Sequence, residues 1–120
     1  MVTVISWCND DYEFLAAGLR EDCRRFGYPF HLYRVDEGFD SLVAAWCNHP
    51  RLIRQGVLDH GTVLFLDVEC RIVRPLPQWW RPPLVSVRRP SQPFWITYNT
   101  GTVMADETCL PWLDAWIRVI

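Results

Sequence analysis

The sequence predicts an α/β fold with a mixed, mainly parallel sheet flanked by helices, and three observations carry this prediction. An apolar run, Val63 to Leu66, follows Gly61 and is typical of a strand buried on both faces. The chain begins with a strand, an amphipathic helix and a second strand joined by short connections, which predicts a right-handed βαβ unit with a parallel strand pair. The 120 residues, half of them hydrophobic, suffice for one core, so we expect a single domain over residues 1–120.

Composition excludes several classes of protein. The formal net charge of −2 is close to neutral, which argues against an electrostatic nucleic-acid binder. No apolar run approaches the length of a membrane span, and the N-terminus lacks the pattern of a signal peptide. The five cysteines form no C-x-x-C pair and are typical of reduced, mostly buried thiols. We therefore expect a cytoplasmic protein without a membrane span.

Each element follows from its side-chain pattern, taken in chain order. The helix over Tyr12–Phe26 has apolar residues at steps of three and four, and Gly27 ends it. Pro50 suits the first position of a helix, so two helices are expected before the central strand. Thr108 is the expected cap of the final helix. The predicted strands are Val2–Trp7, Phe30–Val35, Val63–Leu66, Cys70–Val73 and Leu84–Arg88; the predicted helices are Tyr12–Phe26, Leu42–Cys47, Pro50–Leu58 and Thr108–Ile120; the predicted loops are Gly38–Ser41 and Pro90–Pro93.

Two acids, Asp67 and Glu69, follow the central strand directly. In open α/β sheets, ligands bind beyond the carboxyl ends of the strands. A pair of carboxylates there suits a hard divalent cation with oxygen ligands, and such a cation often bridges to a phosphate. The sequence therefore predicts a metal-and-diphosphate site at Asp67-Val68-Glu69. Two plainer interpretations stay open, namely a helix cap or turn residue, and an ion pair of Glu69 with Arg71 or Arg74.

A second chemically suggestive stretch is Asn99-Thr100-Gly101, between two short apolar segments. It either closes a tight hairpin or brings a backbone close to a ligand, since glycine permits both. The aromatic pairs have two interpretations as well. Trp79 and Trp80 either stack on a sugar or cover a sheet edge. The tryptophans of the final helix belong either to the core or to an exposed patch for self-association.

Three segments in this order resemble the GT-A fold glycosyltransferases, specifically the nucleotide-diphospho-sugar transferases related to family 8. They are SWCNDDYEFLAAGLREDCRRFG, TVLFLDVECRIVRPLP, and TYNTGTVMADET followed by a tryptophan-rich helix. The stretch WCNHPRLIRQGVL is similar to that family's helix before the central strand. The resemblance covers nearly the whole chain and implies a GT-A, Rossmann-like fold. It also implies a nucleotide-diphosphate sugar as donor, an acceptor that the sequence does not identify, and Mn²⁺ or Mg²⁺ as cofactor.

The resemblance assigns roles residue by residue. Asp67 and Glu69 match the D-x-D acids that bind the metal and the diphosphate. Ser6, Asn9 and Tyr12 match the loop that holds the nucleoside, and His49 and Arg51 match the helix that contacts the phosphates, with Arg54 as a further donor. Asn99, Thr100 and Gly101 match the donor-sugar pocket. No catalytic base is identified.

Three departures from the family pattern stand out. The second acid is Glu69 rather than aspartate, and His49 takes the place of the usual lysine. The family's chains are about twice as long, and their C-terminal half supplies a metal-ligand histidine and the acceptor site. The chain is therefore expected to be truncated or minimal, or to complete its site in a homo-oligomer. Beside a glycosyltransferase we keep two alternatives: a non-catalytic nucleotide-binding or interaction module, and another phosphate-handling enzyme such as a hydrolase.

Overall fold

The computed structural model describes residues 1–35, 42–87 and 98–119, with the side chains of 42–46, 86–87 and 98–100 left out. Its five strands form one sheet in the order β2-β1-β3-β5-β4. β1 pairs in parallel with β2 and β3, while β5 is antiparallel to both β3 and β4. The described sheet is therefore mixed, with β5 opposed to the other strands. The strands are β1 Thr3–Cys8, β2 Phe30–Arg34, β3 Val63–Leu66, β4 Leu84–Val87 and β5 Tyr98–Ala105.

Helices cover both faces of this sheet. α1 is Ala16–Phe26, preceded by a 3-10 turn at Asp10–Leu15; α2 is Leu42–His60; and α3 is Leu110–Val119, preceded by a 3-10 turn at Glu107–Cys109. The α/β architecture predicted from the sequence is confirmed. In the described residues no helix combines the length and apolar composition needed to cross a membrane.

Alternation along β1 divides the core into two layers. Ile5 points to the layer of α2 and α3, whereas Val4 points to the layer of α1. β3 is buried along its whole length, as its apolar run predicts. α2 approaches β1 closely at Gly56, where an added Cβ would lie 2.4 Å from the Ile5 side chain.

Two helices end at glycines, and the end expected at Gly27 is confirmed. Gly27 ends α1 with a φ of 79°, and Gly61 follows α2 with a φ of 83°. The expected break at Pro50 is wrong, because α2 is continuous from Leu42 to His60 with Pro50 inside it. Pro50 is fully buried, and Ile53 and Val57 of the same helix pack in the core. This packing offsets the interior-proline cost of about 3 kcal/mol.

Two other local expectations are corrected. Cys70–Val73 is not a strand, since its backbone bonds to α1 side chains instead of to a neighbouring strand. The cap of the final helical segment is Asp106, whose carboxylate accepts from the Thr108 backbone N–H at 3.0 Å, rather than Thr108 itself. The predicted loops 38–41 and 90–93 lie outside the described residues.

The aromatic pairs divide between core and surface. Trp80 packs against the α1-side core, while Trp79 is exposed, so the cover interpretation holds for Trp80. On α3, Trp116 packs against the other core layer, and Trp112 is partly exposed with its ring centroid 5.5 Å from that of Trp116.

Candidate functional site

The crevice between the carboxyl ends of β1 and β3 is where this topology places a ligand. The β1–α1–β2 connection runs over one face of the sheet, and the β2–α2–β3 connection returns over the other face to the far side of β1. The chain leaves β1 toward β2 on one side and leaves β3 toward β4 on the other side of the sheet, and this divergence opens a crevice at a topological switch point. Asn9 follows β1 and Asp67 follows β3, so both lie at this edge.

The acidic motif forms a tight turn at the end of β3. The Cys70 N–H donates to the Asp67 carbonyl oxygen at 2.9 Å, and the Asp67 N–H donates to the Gly101 carbonyl oxygen at 3.0 Å. The turn-residue interpretation is thus correct for the backbone of Asp67, whereas the helix-cap interpretation is wrong because no helix follows. Glu69 is exposed, while Asp67 is partly buried.

Electrostatics set the Asp67 side chain apart. Burial, and then the nearby Glu69 carboxylate, raises the pKa of Asp67 to about 6. The alternative pairing of Glu69 with Arg71 is wrong, since Arg71 pairs with Asp22. Among the described residues neither Glu69 nor Arg74 forms an ion pair. The turn therefore carries negative charge that a bound cation would neutralise.

The two carboxylates fit one part of a metal coordination shell. In the three described stretches, no group of three or more His, Cys, Asp or Glu side chains is arranged to hold a metal ion. Mg²⁺ at phosphate sites commonly takes one or two carboxylates from the protein and completes its shell with phosphate oxygens and water. Oxygen ligands also suit Mn²⁺. Asp67 and Glu69 are therefore oxygen donors of the kind that such a cation takes from a protein.

His49 lies beneath this turn, in a place that its sequence role does not suggest. Its ring centroid is 5.7 Å from that of Trp7 and 5.0 Å from that of Phe65, and its side chain is 8% exposed. Its Nε2 atom lies 3.9 Å from Asp67 Oδ1, longer than a hydrogen bond. Burial lowers the pKa of His49 to about 4, so the ring is neutral at pH 7 and this contact is not an ion pair. His49 lines the base of the site and is largely enclosed by protein.

The three residues matched to a nucleoside loop are divided by the structure. Asn9 caps the 3-10 turn, with its Oδ1 accepting from the Tyr12 N–H at 3.1 Å, and Tyr12 is half exposed at this edge. The loop position expected for Ser6 is wrong, because Ser6 lies inside β1 and is 1% exposed. The Ser6 hydroxyl is enclosed and lacks a hydrogen-bond partner in the described structure.

The two arginines of α2 differ in their surroundings. Arg51 is exposed. Arg54 Nε donates to Asp114 Oδ1 of α3 at 2.7 Å, so its guanidinium ties two helices together. Of the two arginines, Arg51 has its charge in solvent, whereas Arg54 is paired with Asp114.

The Asn99-Thr100-Gly101 stretch is part of β5, so the hairpin interpretation is wrong. Val85 of β4 pairs with Val103 and the next residue, Ser86, pairs with Asn99, so β5 bulges over residues 100–102. The bulge carries the Gly101 carbonyl oxygen that accepts from the Asp67 N–H. The ligand-proximity interpretation therefore agrees with the position of Gly101, while the side chains of Asn99 and Thr100 lie outside the description.

Two ionic anchors near the site went unpredicted. Arg34, at the end of β2, pairs with Asp10 and Glu13 and holds the 3-10 turn after β1. Asp22 of α1 pairs with Arg71 of the loop after the acidic turn. A sequence signal for Asp22 existed, since it falls three residues after Leu19 on the buried face of the helix.

Comparison with solved structures shows a likeness in fold. No protein-family model and no curated protein matches the sequence. A solved structure, described as a "crystal structure of a glycosyltransferase involved in the glycosylation of the major capsid of PBCV-1", superposes with a TM-score of 0.72 at 16% identity. The match covers 96% of this chain and 65% of that one. The chain therefore has a glycosyltransferase fold and spans about two thirds of the length of that structure.

Proposed function

We propose that the protein is a divalent-metal-dependent glycosyltransferase of GT-A type, which moves a sugar from a nucleotide-diphosphate donor to an acceptor. The observation that supports this most is the Asp67–Glu69 turn. It places two carboxylates, one of them with a raised pKa, at the switch point of a glycosyltransferase fold. In this proposal Asp67 and Glu69 hold Mn²⁺ or Mg²⁺ against the donor diphosphate.

The chain's own residues supply positioning in this reaction. The Gly101 carbonyl oxygen accepts from the Asp67 N–H and fixes the Asp67 backbone. The rings of Trp7, His49 and Phe65 line the site below the Asp67 carboxylate. The acceptor oxygen forms a bond to the anomeric carbon, and the bond from that carbon to the diphosphate breaks with its electron pair on the diphosphate. The acceptor hydroxyl proton leaves to solvent. The cation, when bound, stabilises the negative charge of the departing diphosphate.

The direct test is a thermal-shift titration with uridine and guanosine diphosphates, each with and without Mn²⁺. We expect one nucleotide to raise the melting temperature, and to raise it further when Mn²⁺ is present. Saturation at a hundred times the dissociation constant stabilises by about 2.7 kcal/mol. For a chain of this size that is a shift on the order of 10 °C. Asp67→Asn should remove the Mn²⁺-dependent part of the shift while the protein stays folded.

A matched control is Asp106→Asn, at an aspartate that follows a strand at the opposite edge and caps a 3-10 turn. Asparagine caps as well as aspartate, so this variant should keep the full nucleotide shift. An Asp67→Asn protein with an unchanged Mn²⁺-dependent shift would remove the metal site from the proposal.

A second candidate is a nucleotide-binding module without turnover. The burial of His49, at the position where the family carries a lysine, favours it, because a neutral enclosed ring offers no charge to a phosphate. The two candidates differ in one measurement, the Mn²⁺-dependent release of free sugar from the donor that binds. Nucleotide binding without hydrolysis or transfer would support the module.

A further inference from the structure

The segment that follows the acidic turn is tied to α1 by a buried carboxylate. Arg71 Nε and Nη2 donate to the two oxygens of Asp22 at 2.7 and 3.0 Å, and the Ile72 N–H donates to Asp22 Oδ2 at 2.8 Å. Asp22 is 1% exposed, so these donors replace the water that the carboxylate loses. The Arg71 hydrogen bonds, which outweigh the opposing effect of burial, lower the pKa of Asp22 to about 2.

Two further contacts place the same segment on this face. Arg25 Nη2 donates to the Ile72 carbonyl oxygen at 3.2 Å, so both backbone groups of Ile72 bond to α1. The Leu76 N–H donates to the Tyr28 hydroxyl at 2.8 Å, just beyond the end of the helix. Since residues 70–77 have no strand partner, these side chains supply the backbone bonds that a sheet would otherwise provide.

Gly18 makes room for this arrangement. A Cβ at position 18 would lie 2.9 Å from the Cδ and Nε atoms of Arg71 and 3.1 Å from its Cζ. The guanidinium therefore reaches Asp22 by lying directly against the helix backbone, one turn before the carboxylate. A larger residue at 18 would push Arg71 away from that path.

Packing against the core covers only part of this segment. Ile72 is buried against the α1-side core, but a cleft of about 370 Å³ lies beside it, lined by Leu64 and Leu66 of β3 and by Leu76 and Trp80 of the segment. Arg71 lies at one side of this cleft and only two residues after Glu69 in the chain. Asp22 therefore fixes the backbone close to Glu69. Because only Cys70 separates Arg71 from Glu69 in the chain, we expect movement at Arg71 to shift the Glu69 carboxylate.

We infer that Asp22 is a positioning residue for the acidic turn, which it acts on through Arg71, and that Gly18 leaves the space in which Arg71 reaches Asp22. The inference rests on the proposed function, because Asp22 would set the spacing of the Asp67 and Glu69 carboxylates around a cation. Arg71 serves as an anchor in this arrangement and leaves phosphate binding to other groups. Groups that orient metal ligands from outside typically change metal affinity about 10- to 100-fold when they are replaced.

The test compares Asp22→Asn with the neighbouring Glu21→Gln, an identical chemical change at an exposed carboxylate whose partner is Arg24. Amide hydrogen exchange reports on the segment, and electron paramagnetic resonance of free Mn²⁺, with uridine or guanosine diphosphate added, reports on the cation. We expect Asp22→Asn to speed exchange over residues 70–76 and to weaken Mn²⁺ binding about tenfold. Nucleotide binding measured without Mn²⁺ should not change, which a general loss of folding would not reproduce. Glu21→Gln should match the wild type in all three measurements.

Gly18→Ala gives a second route to the same answer. It leaves the Asp22 carboxylate in place and displaces Arg71, so it decides the question if Asp22→Asn fails to fold. We expect the same faster exchange and weaker Mn²⁺ binding. Trypsin adds a simple readout, because Arg74 and Arg81 precede prolines and resist cleavage, which leaves Arg71 as the cleavage site between residues 67 and 82.

The outcomes separate this inference from the proposed function. A wild-type protein that binds no Mn²⁺ with either nucleotide overturns the proposed function, and the positioning role falls with it. Wild-type binding that survives unchanged in Asp22→Asn and Gly18→Ala overturns the positioning role alone, whether or not exchange over residues 70–76 becomes faster.

Discussion

Asp22 is a buried carboxylate and Asp67 is a partly buried one, and their surroundings shift the two pKa values in opposite directions. Asp22 accepts hydrogen bonds from the Arg71 guanidinium and from the Ile72 backbone, and its pKa falls to about 2. Asp67 is partly buried beside a second acid, Glu69, and its pKa rises to about 6. One carboxylate has its charge satisfied by the fold, while the other keeps a charge that the described structure leaves uncompensated.

The difference separates a structural acid from a candidate binding acid. A carboxylate with its hydrogen bonds filled stabilises the native state and has no capacity left for a ligand. A carboxylate that is partly desolvated and lies near a like charge destabilises the native state until a cation arrives. Substitutions at the two positions should therefore change the free energy of unfolding in opposite directions.

The largest expected effect is at Asp22. Asp22→Ala removes two hydrogen bonds from Arg71 and leaves the buried Ile72 N–H without its acceptor. We expect the free energy of unfolding to fall by about 3 kcal/mol, measured by urea denaturation at pH 7. An Asp22→Ala protein as stable as Glu21→Gln would mean that the carboxylate does not hold the segment, and the contrast with Asp67 would collapse.

A smaller effect with a defined pH dependence is expected for the Asp22 charge alone. Because the pKa of Asp22 is lowered from 3.8 to about 2, its ionised form stabilises the folded state fully above pH 4. This contribution is lost as the pH falls from about 4 to 2. Urea midpoints of wild type and Asp22→Asn should therefore converge across this window. A gap that stays constant down to pH 2 would assign the effect to shape instead of charge.

The smallest effect has the opposite sign and belongs to Asp67. Because its pKa is raised from 3.8 to about 6, the ionised carboxylate destabilises the folded state fully above pH 6 and not at all below pH 4. About a third of the side chain is exposed, which reduces the cost. Asp67→Asn should therefore gain on the order of 1 kcal/mol at pH 7.5 without metal and nothing near pH 4. A loss of stability at pH 7.5 would mean that Asp67 is a structural acid like Asp22.

The comparison also shows how far the sequence determines this site. The position of Asp67 was predictable because it depends on two local facts: a fully apolar run makes a buried strand, and an acid ends that run. The surroundings of Asp67 were not predictable in the same way. His49 and Gly101 reach the turn from α2 and β5, and the path of those elements depends on packing far from the motif.

The errors in the predicted elements have the same origin. Local pattern places a helix start at Pro50, but the buried face that continues through Ile53 and Val57 keeps α2 intact. The local pattern also predicts a strand at Cys70–Val73. In the structure the Ile72 N–H donates to the Asp22 carboxylate instead of to a neighbouring strand. In both places tertiary contacts outweigh the local secondary-structure propensity.

The Gly18–Asp22–Arg71 arrangement also has a consequence for how the sequence can evolve. Asp22 and Arg71 lie 49 positions apart, and the Arg71 guanidinium donates to both oxygens of the Asp22 carboxylate. In chains related to this one, we expect positions 22 and 71 to change together. Glycine at position 18 should give way to larger residues only in lineages where position 71 has lost its arginine.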